Sequence, residues 1–180
     1  MQDQTPQLRY DFLTRLLHWL IAVLLVAVFG LGLRLASLGL FDSRQASVGM
    51  WHKSLGALTG SLMLLRLLWS WRRPRLPAIG NRLEQLLARL VQGGLYALVF
   101  LAAGSGYLLA TGSGRALEWF GVLQVPALFA LESGTLELVH QVHEVAAWLL
   151  VALTVLHVLA VFKHQLLDRE PLLKRMLGKK

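Results

Sequence analysis

Cysteine is absent from this 180-residue chain, and charge is scarce, with only 16% of residues charged. The missing thiols exclude disulfides, iron–sulfur clusters and thiolate chemistry. Acidic residues are the scarcer sign, ten against eighteen lysines and arginines, for a formal net charge of +8. With 56% hydrophobic residues and a mean hydropathy of +0.56, the composition is not that of an ordinary soluble domain. No internal repeat and no low-complexity linker divides the sequence, so a single domain over 1–180 is expected.

What is present is a set of long apolar runs. Leu16–Leu33, Leu90–Gly114 and Val145–Phe162 carry no charge, and Ser54–Trp71 is broken only by Arg66. Each is long enough to cross a hydrocarbon core of ~30 Å, allowing for interfacial ends. The reading is therefore all-α: an integral membrane four-helix bundle with helices at about 14–36, 49–71, 82–110 and 135–166. The first run has His18 and Trp19 at its start and no convincing small-residue cleavage site, so it is expected to stay in place as a helix. Pro74 and Pro77 end the second helix, because proline cannot extend the hydrogen-bond ladder. Residues 37–48 form a short loop. The segment 111–139, with Trp119, Phe120, Pro126 and Phe129, reads as a reentrant or interfacial cover over one end of the bundle.

The basic residues are unevenly placed. If the amino terminus is cytoplasmic, all of them except Arg34, Arg44, Lys53 and Arg115 fall in the inner segments 1–15, 66–89 and 163–180. This is the positive-inside bias, and it puts both termini in the cytoplasm. The excess positive charge then reflects topology and anionic lipid, with no nucleic-acid partner required.

Four histidines stand near the ends of these runs. His143 and His157 are fourteen residues apart, which is ~21 Å of helix rise and nearly the same face. Depth pairs His18 with His157 at the inner level and His52 with His143 at the outer level. Imidazoles at membrane depth are costly unless paired or ligated. Two bis-histidine sites, one per leaflet, suit two haems, since imidazole is a standard axial ligand of haem iron. Zinc fits less well, because histidines at two depths do not converge on one tetrahedral site. Interfacial histidines touching headgroups are the plain alternative.

Other residues join this scheme. Gly56 and Gly60 follow His52 at intervals of four, giving either a bare face for a cofactor or ordinary Gly-x-x-x-Gly helix packing. Gly30, Gly32, Gly93, Gly94, Gly104 and Gly106 are further candidates for the same work. Arg66, fourteen residues after His52, can reach an inner haem propionate or snorkel to the interface. Lys53, Arg34 and Arg115 are the outer cations available to outer propionates or a small anion. His164, seven residues after His157, can hydrogen-bond a quinone, and Gln92 lies at a similar depth. His140 is left over near the outer surface.

Arg15-Leu16-Leu17-His18-Trp19, Trp51-His52-Lys53-Ser54-Leu55-Gly56, Val142-His143-Glu144 and Leu156-His157, in this order on four helices, resemble the bacterial cytochrome b561 family of small dihaem membrane proteins. The resemblance runs from about residue 8 to the tail. It implies two haem b groups in a bacterial inner membrane, with His18 and His157 on the inner iron and His52 and His143 on the outer.

The branch of the family most resembled, through His157-Val158-Leu159-Ala160-Val161-Phe162-Lys163-His164, takes electrons from superoxide at the periplasmic face and reduces ubiquinone. The resemblance puts His164 near the quinone, with Gln92 beside it; the outer cations Lys53, Arg34 and Arg115 would then steer superoxide by charge, or are simply solvated interface residues. Gln92 stands where that branch has a histidine, and glutamine hydrogen-bonds without titrating. The other reading is an electron-conduit subunit that passes electrons from a periplasmic protein or small carrier to quinone.

Overall fold

The computed structural model describes residues 10–39, 41–72, 80–170 and 172–178. Four long helices dominate it: α1 (Phe12–Ser37), α2 (Gln45–Trp71), α3 (Arg82–Thr111) and α4 (Ser133–Leu166). A short helix α5 (Leu172–Leu177) follows. Two three-residue strands, β1 (Leu117–Trp119) and β2 (Leu123–Val125), pair antiparallel between α3 and α4. This hairpin departs from a purely helical reading and occupies the segment expected to cover one bundle end. The proline turn at Pro74 and Pro77, and the basic residues Arg9, Arg73, Arg75, Lys179 and Lys180, lie outside the described residues.

The helix starts follow local chemistry. Asp11 caps α1, accepting from the Thr14 amide at 3.1 Å and from its hydroxyl at 2.6 Å. Its carboxylate also receives the Trp69 indole N–H at 3.1 Å, tying the start of α1 to the end of α2. Asn81 and Glu84 form a reciprocal capping box at the start of α3. Such caps satisfy amides that a helix leaves without partners at its first turn.

Helix α1 packs along α2, α2 along α3, and α3 along α4. Helix α4 has its close backbone neighbour in α3 and reaches α1 and α2 chiefly through side chains. The buried centre is small: Leu17, Ile21, Met63, Val99 and Leu150, with Tyr96 and Phe100 against it. Most large apolar side chains face outward instead. Val26 is 76% exposed and Leu159 59%. An apolar exterior around a thin core is what lipid, rather than water, selects.

Helices α1, α3 and α4 are long and apolar enough to cross a membrane. Helix α2 has the length but falls short in apolarity, so three of the four expected spanning helices meet both criteria. The reason is its role between two neighbours. It buries Gly49, Ser54, Thr59 and Met63, and it carries Lys53 and Arg66. Thr59 satisfies its hydroxyl on the Leu55 carbonyl at 2.7 Å. Gly60 packs on α3, where an added Cβ would lie 2.8 Å from that of Ala103, and Gly56 faces Val28. Gly60 therefore serves close helix packing, while Gly56 is in ordinary contact with α1.

The hairpin is pinned to α2 through one serine. Ser54 is fully buried. Its hydroxyl accepts the Phe120 amide at 2.9 Å, and its carbonyl accepts the Trp119 indole N–H at 3.0 Å. Phe120 holds this position with φ +52, a left-handed conformation rare for a bulky residue. Replacing Ser54 with alanine leaves the buried Phe120 amide without its acceptor, a loss of about 1–3 kcal/mol. We expect faster amide exchange at Phe120 and Gly121 in Ser54→Ala, with the helices unchanged, as read by hydrogen–deuterium exchange.

Candidate functional site: two histidine pairs

The antiparallel helices bring the four expected histidines together in two pairs. At the end that carries the hairpin, His52 on α2 faces His143 on α4, with ring centroids 6.1 Å apart and planes crossed at 86°. At the opposite end, which carries the chain termini, His18 on α1 faces His157 on α4 at 6.4 Å and 74°. All four rings are partly buried.

The hairpin-end pair is held by backbone. His52 Nδ1 lies 3.0 Å from the Val28 carbonyl, and His143 Nδ1 lies 3.0 Å from the Ala102 carbonyl. A carbonyl only accepts, so each Nδ1 carries the proton and each Nε2 keeps its lone pair. Ser105 Oγ also approaches His143 Nδ1, at 3.1 Å. The glycines at the next helical turn make room: a Cβ on Gly32 would lie 3.0 Å from His52 Cε1, and one on Gly106 would lie 3.1 Å from His143 Cε1. Gly32 and Gly106 were two of several candidate glycines in the sequence. Their distinguishing signal is that each follows by four residues the carbonyl that holds a ring.

The terminal-end pair is built differently. Arg66 Nη1 stands 2.8 Å from His18 Nδ1, and Arg66 Nε donates to the Tyr96 hydroxyl at 3.1 Å. Arg66 thus lies beside the inner-level histidine expected from its spacing. Tyr96 was not anticipated, since a tyrosine in an apolar helix carries no spacing signal of its own.

His164 is drawn into a polar cluster beyond this pair. Its Nδ1 meets Asp168 Oδ2 at 2.6 Å, while Lys163 Nζ bridges Asp168 at 2.7 Å and Glu84 at 2.6 Å. Gln92 is exposed on α3, and no hydrogen bond joins it to His164 among the described residues. Glu84, His164 and Asp168 bring ligand atoms within 4.8 Å of one another. The Lys163 ammonium already bridges both carboxylates, so the cluster reads as an ion-pair tie between α3 and α4. The capping motif Asn81-x-x-Glu84 and the i,i+4 pair His164/Asp168 were its readable signals. His140, Lys53, Arg34 and Arg115 are all exposed at the hairpin end. A cleft of about 330 Å³ between α3 and α4, lined by Phe100, Leu108, Leu138 and Val142 among others, is apolar and lies beside Ser105.

Lys163, then His164, hold the Asp168 carboxyl below its ordinary value of 3.8. A depressed carboxyl stabilises the fold above its unfolded value, and the contribution is lost as pH falls through the lower folded value. We expect the melting temperature in detergent to drop as pH falls below about 4, and the drop to shrink in Asp168→Asn.

Comparison with known proteins identifies the family. The prokaryotic cytochrome b561 family profile matches residues 9–179. Cytochrome b561 homolog 2 of Escherichia coli (strain K12) is 34% identical over 178 residues, covering 97% of this chain and 94% of that protein. Proteins of this family generally bind haem b, and transmembrane electron transfer is their general activity. The chain belongs to the prokaryotic cytochrome b561 family.

Proposed function

We propose that this protein is a four-span dihaem electron carrier that oxidises superoxide at the hairpin face and reduces ubiquinone at the opposite face. The observation that carries the dihaem part is the separation within the histidine pairs. An iron bound at ~2.0 Å by one nitrogen of each of two opposed imidazoles sets the ring centroids about 6.3 Å apart. The two pairs stand at 6.1 and 6.4 Å. Their bearers, α2 with α4 and α1 with α4, are also the helices that meet through side chains rather than backbone, which leaves room for a flat ligand.

His52 and His143 would hold one haem and His18 and His157 the other, each through Nε2. Arg66 is the cation nearest the second pair and suits a propionate there. Haem supplies reversible one-electron chemistry; the protein supplies ligands, burial and charge. With His52 and His143 both holding the haem at the hairpin face, that group would supply a one-electron acceptor, and superoxide giving up one electron there would leave as dioxygen. Lys53, Arg34 and Arg115, exposed at that face, attract the anion. Two such electrons, with two protons, convert one ubiquinone to quinol. His164 and Gln92, at the other end, are the proposed quinone contacts.

The orientation rests on charge. Among the described residues, Arg15, Arg72, Arg82, Arg89, Arg169, Lys174 and Arg175 gather at the terminal end. That bias supports a cytoplasmic terminal end in the bacterial inner membrane, with α2 as the fourth span.

The electron-conduit reading is favoured by one feature: the hairpin end exposes Val122, Leu128 and Phe129, which suit a protein donor. A superoxide pulse in a stopped-flow instrument separates the two. The proposal expects haem reduction within the pulse in oxidised, detergent-purified protein, followed by reoxidation when ubiquinone is added. Haems that stay oxidised, yet reduce with dithionite, overturn superoxide as donor. Single replacements of His18, His52, His143 or His157 by alanine should each remove one of two haems, read as pyridine haemochrome per protein; an unchanged haem content defeats the ligand assignment.

A further inference from the structure

The two histidine pairs differ in what touches Nδ1, and that difference has a direction. Both hairpin-end rings donate Nδ1–H to a helix carbonyl at 3.0 Å. Neither terminal-end ring is held by a carbonyl among the described residues. The terminal-end pair has instead a guanidinium, with Arg66 Nη1 2.8 Å from His18 Nδ1. We infer that the hairpin-end haem site has the lower reduction potential and the terminal-end site the higher, so that electrons run from the hairpin face to the terminal face. Gly32 and Gly106 are the positioning residues that lower the first, and Arg66 raises the second. The inference rests on the dihaem reading above and adds its thermodynamic polarity.

The physical argument has two parts. An imidazole that donates Nδ1–H to a strong acceptor becomes a more basic ligand through Nε2. A more basic ligand favours the oxidised, more positive iron and lowers the potential. Two such ligands act together at the hairpin end. Their acceptors are unusual, because the Val28 and Ala102 carbonyls belong to helices whose own ladders already use them. Gly32 and Gly106 sit four residues on, where the ladder partner's side chain would otherwise cover the carbonyl's free lone pair. With a Cβ only 3.0 or 3.1 Å from Cε1, alanine at either position pushes the ring off its acceptor.

At the other end, a guanidinium has no lone pair to offer. At 2.8 Å the guanidinium donates to His18 Nδ1, which puts that ring's proton on Nε2; a His18 that bound iron through Nε2 would carry its proton on Nδ1 instead and give up this hydrogen bond. What Arg66 then contributes is its charge. A fixed cation in a low-dielectric setting favours the reduced, less positive iron and raises the potential. The Tyr96 hydroxyl, 3.1 Å from Arg66 Nε, keeps that charge near the pair.

The test is anaerobic spectroelectrochemical potentiometry of the full-length, haem-loaded protein in detergent, wild type and variants. The wild type is expected to give two one-electron waves. Arg66→Gln should lower the higher wave by about tenfold in its reduction equilibrium, or about 59 mV. Gly32→Ala and Gly106→Ala should each raise the lower wave and leave the higher one in place. Arg66→Gln that moves the lower wave, or neither, overturns the inference, as do alanine variants that move the higher wave or none. If an alanine variant loses a haem, the surviving wave must coincide with the higher wild-type wave; coincidence with the lower one overturns the proposal. A wild type that binds fewer than two haems defeats the dihaem reading itself, a different failure with a different signature.

Discussion

An imidazole nitrogen set among apolar helices must find a partner, and in this chain that requirement governs where the helices lie. His52 and His143 each spend one nitrogen on a carbonyl of the neighbouring helix, which fixes α2 against α1 and α4 against α3 at that level. His18 has Arg66 and His157 as its neighbours, and Arg66 in turn is held by Tyr96 on α3. Polar side chains thus sit where the helices touch, and the apolar ones are left for the outside. In lipid this is the favourable division, because hydrocarbon chains already solvate leucine and valine, whereas an unpaired polar group costs several kcal/mol (about 2–7). The five-residue buried centre is small for that reason, and helix association depends on close contacts at Gly60 and Gly94.

Much of this was legible in the sequence. Charge-free runs marked α1, α3 and α4 because length and apolarity are local properties of a span. Helix α2 was less plain, since its serine, threonine and glycine residues face neighbouring helices rather than lipid. The pairing of His18 with His157 and of His52 with His143 followed from depth alone, given antiparallel helices. Depth could not say which nitrogen faces what, and so could not separate Gly32 and Gly106 from the other glycines. Gly56 and Gly60 had the more suggestive spacing, yet Gly60 lies against Ala103. The hairpin was hidden because its strands have only three residues each, too few for any alternation to register. Its anchor, Ser54, is an ordinary serine until the fold places Trp119 and Phe120 on it.

The two ends of the bundle are finished in contrasting ways. At the hairpin end the hairpin is held by neutral groups, with an indole and an amide on Ser54 and the Tyr107 hydroxyl on the Pro126 carbonyl, while the Arg44–Asp42 ion pair stays within the loop before α2. The terminal end is tied by charge, through Glu84, Lys163, Asp168 and His164. Neutral closure resists changes of salt and pH, while exposed ion pairs yield to both. The terminal end is therefore the one whose ties between helices respond to salt and acid.

Helix α4 supplies one ring to each histidine pair, and it follows the helices that carry the other two rings in the chain. Neither pair exists in a nascent chain that stops before residue 143, however well its first three helices have inserted. Closure of the pairs is thus a late event in biogenesis, and a polypeptide stalled before that point reaches the bilayer with His18 and His52 and no opposing ring for either. Docking of α4 is the single step at which both pairs come into being.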